Sequence, residues 1–492
     1  MTAYENLCAV AREIALLSSA ASVLGWDQET YLPPMGVHYR AQQLALLETR
    51  AHELATGTRF RKLLDRAESE KSRNATRPNA NLREWRHHLE RACRIPASLV
   101  AQLSEASSLA KQAWSEARKK SDFPQFAPHL KKLIELTRAK ADLLGYPDEP
   151  YDALLESYER GSRTRNIARL FGELAPLIAR LARKATVVSR ARPTTLPRGR
   201  YPLETQKAFN DEVARSLGFD LSAGRIDTTT HPFCTTLGPR DVRLTTRYDE
   251  ADFTSSLLGV LHEAGHGMYE QGLPEEEYGL PSGSAVSLGI HESQSRLWEN
   301  HVGKSTAFWQ RWFPRALELF PPLRKTSLED FLCVLHRAEF SCIRVEADEA
   351  TYDLHIFLRF ELEREMLNGT VAVEDIPEAW NARFRELFGM NPPDDARGCL
   401  QDIHWSMGGF GYFATYTLGN LNAAQIFQTA MKDRDLAGAA AKADYRPLLQ
   451  WLRREVHSRG STLLPAALVK AATGRETEPK PYLSHLRERF LS

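Results

Sequence analysis

The sequence predicts a mainly α-helical protein with one small antiparallel β element near residues 225–248. Apolar residues recur at three- and four-residue spacing through most of the 492 residues, and Ala, Leu, Glu and Arg, which favour helices, dominate these stretches. One stretch, RIDTTTHPFCTTLGPRDVRLTTRY, is instead rich in threonine and contains a Gly-Pro turn. Such a composition is typical of short strands joined as a hairpin.

The helical pattern falls into separate segments along the chain. In order they cover residues 38–70, 82–113, 125–144, 164–187, 252–271, 284–302, 327–366, 374–389 and 434–455. Turn-forming residues interrupt the pattern at 71–80, 191–202, 271–284 and 391–398, and none of these breaks is long enough to be a clear interdomain linker. Length alone would predict roughly three domains.

Charge and cysteine content limit the classes of binding partner and the cellular compartment that we expect for this chain. The chain carries 64 Lys and Arg against 63 Asp and Glu, so no global field favours nucleic acid or an anionic membrane. Its six cysteines include no C-x-x-C pair, which indicates reduced thiols. Glu5 and Glu13 stand where a signal peptide would need a basic start and an apolar run, and no run of 18 apolar residues predicts a transmembrane helix. We therefore expect a cytoplasmic protein without a nucleic-acid or membrane partner.

A metal-binding motif lies in the segment LLGVLHEAGHGMYEQG, residues 257–272. His262 and His266 enclose Glu263 in an H-E-x-x-H pattern, and on a helix the two histidines lie one turn apart on the same side. Two imidazoles in that arrangement can bind one Zn²⁺, and Glu263 can then take a proton from an activated water. Gly265 and its neighbouring glycines are costly in a helix, which predicts close approach of another helix or a substrate.

A third ligand is expected from the next helical segment, where His291 precedes Glu292. Glu292 would complete a His₂Glu set that leaves a coordination position open, as catalytic zinc sites do. The alternative is that Glu292 is a surface carboxylate. His291 by itself is better explained as a residue that supports a ligand.

Several blocks of the chain, in a fixed order, resemble the thermostable carboxypeptidases, the carboxypeptidase Taq family. The blocks are LGWDQETYLPPMGVHYRAQQLALL (24–47), YDALLESYE (151–159), HPF (231–233), DVRLTT (241–246), HEAGH (262–266), HESQ (291–294), IRVEAD (343–348) and GCLQDIHWSMGGFGYFATYTLGN (398–420). The sequence departs from the usual family pattern at ERGSRT (159–164) and at Ala414, where proline is common. Both departures put local loop shape in doubt and leave the chemistry untouched.

The resemblance implies a large helical body with a deep central groove, similar to angiotensin-converting enzyme and neurolysin. It implies a homodimer and a zinc ion that cobalt can replace. By position, His262, His266 and Glu292 match the family's metal ligands and Glu263 matches its acid/base. Because the matched blocks span most of the chain, we expect residues 1–492 to form one domain.

Substrate contacts are expected from arginine, tyrosine and histidine side chains in the other blocks. Arg243 and Arg344 are the candidates for binding a substrate carboxylate through a bidentate fork, Arg247 is a weaker one, and the alternative is a salt bridge with Asp241, Glu346 or Asp348. His404, Tyr412 and Tyr416 are the candidates for stabilising the oxyanion, or else form an aromatic core cluster. His231 lies in the predicted hairpin, whose edge could pair with an extended peptide, or is a plain loop histidine.

The expected activity is release of single amino acids from peptide C-termini with broad specificity, with Glu263 as general base and then acid. The same chemistry would also serve an oligopeptidase or a dipeptidyl carboxypeptidase. A non-catalytic peptide-binding protein and a structural helical protein with an incidental motif remain as alternatives from other classes.

Overall fold

The computed structural model describes residues 2–72 and 74–491. The mainly helical prediction is confirmed. The helices are α1 (Ala3–Thr30), α2 (Val37–Thr56), α3 (Thr58–Ser69), α4 (Thr76–Arg94), α5 (Ala97–Lys120), α6 (Phe123–Leu144), α7 (Pro150–Leu155), α8 (Thr164–Arg190), α9 (Leu203–Leu217), α10 (Phe253–Glu270), α11 (Leu288–Arg296), α12 (Thr306–Leu319), α13 (Leu328–Leu335), α14 (Tyr352–Asn368), α15 (Ile376–Phe388), α16 (Ala414–Ala430), α17 (Arg434–Ala441), α18 (Arg446–Glu455), α19 (Pro465–Thr473) and α20 (Lys480–Leu491).

One predicted helical segment is interrupted in its middle. Helix α13 ends at Leu335 and α14 begins at Tyr352, so the continuous helix expected over 327–366 does not form. The Asp348 side chain accepts hydrogen bonds from the backbone amides of Glu339 at 2.8 Å and Ala350 at 2.9 Å. These side chain–backbone bonds offer the chain an alternative to helix, which periodicity alone does not reveal.

Other predicted segments are divided or extended. The segment 38–70 is split at Gly57, 82–113 is split before Pro96, and 284–302 continues from α11 into a π-helical turn, Leu297–Gly303. Helices α1, α7, α9, α12, α16, α19 and α20 lie outside the predicted segments.

The small β element has three strands, β1 (Gly224–Thr228), β2 (Cys234–Gly238) and β3 (Asp241–Thr246). Strand β3 lies in the centre, antiparallel to β2 as predicted, but parallel to β1. The expectation of a purely antiparallel element is therefore corrected. Loop 229–233 carries the chain from β1, on one edge of β3, to β2, on the other edge. The strand pattern in the sequence does not show which of these strands pair with each other.

Two large hydrophobic cores share helix α16. Leu418, Leu421 and Ala424 pack in the core formed with α6, α8, α14 and α15. Ala423 and Ile426 pack in the core formed with α9, α10 and α12. Helix α16 is thus buried on opposite sides, and it packs against α11, the helix that carries Glu292.

Helix α1 is the one described helix that is long and apolar enough to cross a membrane by length and composition, which the count of consecutive apolar residues did not indicate. About a fifth of its most apolar window is buried. The helix contacts α2, α3 and β2. A core helix and an N-terminal signal sequence pass the same test, so this helix alone is weak support for a membrane location.

Candidate metal centre and active site

Helix α10 presents the H-E-x-x-H motif between another helix and the sheet. Its first turn is capped by Asp252, whose carboxylate accepts from the Thr254 amide at 2.8 Å. A Cβ on Gly265 would lie 2.6 Å from the Gln294 carbonyl oxygen of α11, and one on Gly267 would lie 2.9 Å from Leu244 of β3. The predicted close approach of another helix is confirmed at Gly265, whereas the neighbours of Gly267 are the side chains of Phe219 and Leu244.

Three candidate ligands converge where α10 meets α11. The ligand atoms of His262, His266 and Glu292 all lie within 4.8 Å of one another. Glu292 Oε2 is 3.6 Å from His262 Nε2 and 3.5 Å from His266 Nε2. A tetrahedral Zn²⁺ at about 2.0–2.1 Å from each donor sets its donors roughly 3.3 Å apart. The donor set and its spacing therefore fit one such ion, and Glu292 is 7% exposed, which excludes the surface-carboxylate alternative.

One histidine is oriented by a carboxylate from the π-helical turn. His262 Nδ1 lies 2.8 Å from Glu299 Oε2, which leaves Nε2 directed at Glu292. Arg296 donates to Glu292 Oε1 at 2.7 Å and to Glu299 Oε2 at 3.3 Å. Burial alone would raise the pKa of Glu292, but Arg296 and the two histidines outweigh it and hold that pKa well below its usual range.

The second histidine is oriented through a chain of side chains. His291 Nδ1 lies 2.5 Å from His266 Nδ1, and His291 Nε2 lies 2.9 Å from Glu270 Oε1. Thr236 of β2 donates to the other Glu270 oxygen at 2.8 Å. His291 thus lies behind His266, in the supporting place expected for it.

Glu263 is buried beside the ligand cluster and is 6% exposed. Burial raises the pKa of Glu263 to about 7, the Glu292 charge adds to this, and His262 partly offsets it. A carboxyl group with a pKa near neutrality can both accept and return a proton.

The predicted oxyanion candidates form one aromatic cluster. The Tyr412 ring lies 5.4 Å from Tyr416 and 5.4 Å from His404. Burial raises the pKa of Tyr412, and the negative charge of Glu292 raises it further. Burial lowers the pKa of His404 to about 4, which keeps its imidazole neutral at physiological pH.

Arg344 belongs to the same cluster, with a different partner from those expected. It pairs with Asp402 through Nε at 2.9 Å and Nη2 at 2.8 Å, whereas the sequence suggested Glu346 or Asp348. Asp402 is distant in sequence, and only the fold brings it near. Arg344 Nη1 donates to the Tyr352 hydroxyl at 3.0 Å, and the guanidinium lies 5.2 Å from the Tyr416 ring.

The remaining substrate candidates lie on the sheet and its loops. Arg243 pairs with Asp241 through two bonds of 3.0 Å, as the alternative interpretation expected, and lies 4.2 Å above the Trp26 ring. Arg247 is exposed. His231 is also exposed, and it lies in the loop between β1 and β2 and not in a strand, which corrects its predicted position in a hairpin.

A cavity of about 1170 Å³ adjoins the metal cluster. His291, Glu270 and Tyr158 form part of its wall, while helices α1 and α4 close the other side. Its described lining does not include the three candidate ligands, and it borders the site through His291 and Glu270, the side chains that lie behind His266.

Sequence reasoning missed several residues that shape the site. Arg296 could have been found, because it follows Glu292 by four residues on a helix. Gly419 of α16 lies against Glu292, and Glu363 holds the Tyr412 segment by accepting from the Gly411 amide at 3.1 Å. Neither the Gly419 contact nor the Glu363 contact can be inferred from the neighbouring sequence, because both partners are distant along the chain.

Known proteins match over the whole chain. The model of the carboxypeptidase Taq (M32) metallopeptidase family matches residues 6–490. Thermostable carboxypeptidase 1 of Thermus thermophilus is 44% identical, over 100% of this chain and 98% of that protein. Carboxypeptidase 1 of Bacillus subtilis is 35% identical, over 97% and 96%.

Solved structures agree. The M32 carboxypeptidase from Deinococcus radiodurans superposes with a TM-score of 0.96 at 38% identity, covering 99% of this chain and 98% of that one. The Pyrococcus furiosus carboxypeptidase gives 0.96 at 36% identity, covering 100% and 99%. With its H-E-x-x-H helix and buried third carboxylate, this chain belongs to the carboxypeptidase Taq (M32) family of metallocarboxypeptidases and is a peptide hydrolase.

Proposed function

We propose that the metal of this carboxypeptidase is zinc, replaceable by cobalt, and that the enzyme removes single amino acids from peptide C-termini with broad specificity. The observation that carries the proposal is the convergence of His262, His266 and Glu292 beside a buried Glu263. Two imidazole nitrogens and one carboxylate form a zinc-type donor set with room for substrate.

An ion held by His262, His266 and Glu292 would supply Lewis-acid activation of a water and of the scissile carbonyl. Glu263 accepts the proton of the attacking water and passes it to the leaving amine, a transfer that suits its pKa near neutrality. Glu299 and His291 keep the two histidine rings in the tautomers that direct Nε2 inward.

Two further tasks fall to the aromatic cluster. Tyr412 or Tyr416, or His404, donates a hydrogen bond to the carbonyl oxygen as it gains charge. Arg344 binds the substrate's terminal carboxylate; its place among Tyr352 and Tyr416 supports this over Arg243, which lies on Trp26. Arg243 and His231 are proposed as contacts farther along the peptide.

We also propose that residues 1–492 form one domain and that the enzyme is a cytoplasmic homodimer. The burial of α16 in both large cores supports the single domain. Six free cysteines support a reducing compartment.

The test compares wild type with Glu263→Gln on N-blocked dipeptides, with and without a chelator. We expect the variant to retain metal and to lose turnover by about 10²–10⁴-fold, since it lacks the general base. The matched control is Glu204→Gln, at an exposed position on α9. Wild-type rates in the Glu263 variant would refute the mechanism.

Mass analysis of a longer peptide distinguishes the alternatives. A ladder of single C-terminal losses supports the proposal. Release of dipeptides or internal cuts would instead show a dipeptidyl carboxypeptidase or an oligopeptidase. Metal binding without any turnover would show a peptide-binding protein.

A further inference from the structure

The turn after α7 reaches the start of the helix that carries the third ligand. Glu159 in this turn is 3% exposed, and its two oxygens accept hydrogen bonds from Ser287 Oγ and the Gly289 amide, each at 3.0 Å. The preceding residue, Tyr158, accepts through its carbonyl from the Leu288 amide at 3.1 Å. Three consecutive residues at the beginning of α11 are therefore bound by two consecutive residues of one turn.

These bonds lie at the N-terminal turn of α11. The first amides of a helix have no partner within the helix, and a carboxylate there is favoured by the helix dipole. Helix α11 has only nine residues, and within them it carries both His291 and Glu292. His291 and Glu292 follow within about one turn of these bonds, so a shift of the first turn displaces both side chains.

The packing leaves space only for glycine at the contact. A Cβ on Gly289 would lie 2.5 Å from Glu159 Oε2. The Glu159 carboxylate thus sits directly on the backbone of α11, at a distance that another side chain at position 289 would prevent.

The same turn touches the opposite half of the site. The Tyr158 ring packs edge-on against Tyr412 at 5.4 Å, and Tyr158 also forms part of the cavity wall. The turn therefore contacts the element that carries the third metal ligand and the tyrosine proposed for oxyanion stabilisation.

We propose that Glu159 is a positioning residue: it binds the first turn of α11 and thereby fixes the position of Glu292. Together with Tyr158, it keeps Glu292 and Tyr412 at a fixed distance from each other. This inference rests on the proposed metal site.

The experiment compares Glu159→Ala with Asp152→Ala. Asp152 is a matched control because it is equally buried, at 3% exposed, and holds the first turn of another helix, accepting from the Thr164 amide of α8 at 2.7 Å. Affinity for Zn²⁺ is measured by chelator competition, the ligand geometry by visible absorption of the Co²⁺-loaded protein, and stability by thermal melting.

We expect both variants to lower the melting temperature, but only Glu159→Ala to raise the Zn²⁺ dissociation constant, by about tenfold, and to shift the Co²⁺ absorption bands. Glu159→Gln keeps the shape and one acceptor oxygen, so it should give a smaller increase and partly rescue the spectrum. It also serves as the test if the alanine variant does not fold.

The inference is wrong if the Glu159 variants lose stability yet keep the wild-type metal affinity and Co²⁺ spectrum, as Asp152→Ala should. Failure of wild type to bind any metal would instead overturn the proposed function, and this inference with it. Wild-type binding with an unaffected Glu159 variant overturns this inference alone.

Discussion

Replacing Gly419 with alanine tests how closely the third ligand is held by a neighbouring helix. Gly419 lies in α16, and an added Cβ would be 2.5 Å from Glu292 Cγ and 2.7 Å from Glu292 Cβ. To reach an ordinary contact of 3.4 Å, either the helix or the ligand must move by about 0.9 Å. Glu292 has little freedom to yield, since Arg296 and Ser295 both bind its carboxylate.

The size of the effect follows from that displacement. Metal–ligand distances tolerate only about 0.2 Å, and a misplacement of about 1 Å at a reacting centre costs roughly 100-fold in rate. We therefore expect Gly419→Ala to weaken Zn²⁺ binding at least tenfold, to lower kcat/KM by about 100-fold, and to cost about 1–3 kcal/mol of stability through overpacking.

Chelator competition, steady-state kinetics and thermal melting measure these three quantities. The matched control is Gly172→Ala in α8, where an added Cβ meets nothing within 4 Å. That variant should be unchanged in activity and more stable by about 0.5–1 kcal/mol, because alanine favours helix. Wild-type metal affinity in Gly419→Ala would refute the reasoning.

Three further outcomes are expected. On N-blocked dipeptides, Arg344→Lys should raise KM about tenfold with a smaller change in kcat, because lysine cannot keep both bonds to Asp402 and still reach the substrate carboxylate. Arg243→Lys should leave KM nearly unchanged on these short substrates, since Arg243 is proposed to contact the peptide farther along. Burial raises the pKa of Glu363 to about 8, so the folded state keeps a proton that the unfolded chain loses near pH 4.3. The free energy of unfolding should therefore fall by up to about 1.4 kcal/mol per pH unit as pH rises from about 5 to 8, and Glu363→Gln should remove this slope in urea titrations. Metal removal should lower the melting temperature of wild type, since an ion at 100 times its dissociation constant stabilises by about 2.7 kcal/mol, and Glu292→Gln should abolish this shift.

Each of these outcomes has a contrary result. A larger KM change in Arg243→Lys than in Arg344→Lys would move the carboxylate contact to the sheet. Parallel pH slopes in wild type and Glu363→Gln would show that this carboxyl is ionised in the folded protein. A chelator-induced shift that persists in Glu292→Gln would place the metal elsewhere.

Features that depend on residues only a few positions apart were predictable from the sequence. Helical periodicity identified most of the helices near the site, and the four-residue spacing of His262 and His266 placed both on one side of α10. The costly glycine at position 265 correctly indicated a close neighbour. Glu292 was identifiable because it stands in a helical segment soon after the motif.

Partners distant in sequence were not predictable. Arg344 was expected to pair with Glu346 or Asp348 but pairs with Asp402, and Glu363 reaches Gly411 across the loop before α16. The division of 327–366 depends on the hydrogen bonds that Asp348 makes, and the parallel β1–β3 pairing depends on the path of a loop.

The sequence by itself determined the helical class, the H-E-x-x-H helix and the chemical types of the candidate catalytic side chains, because these depend on residue identity and on spacings of a few residues. Only the tertiary structure decided which carboxylate orients each histidine, that Gly419 and Glu159 hold the helix of Glu292, and that Arg344 joins the tyrosine cluster. Those contacts join segments far apart in the chain, so they follow from how the helices pack and not from any local pattern.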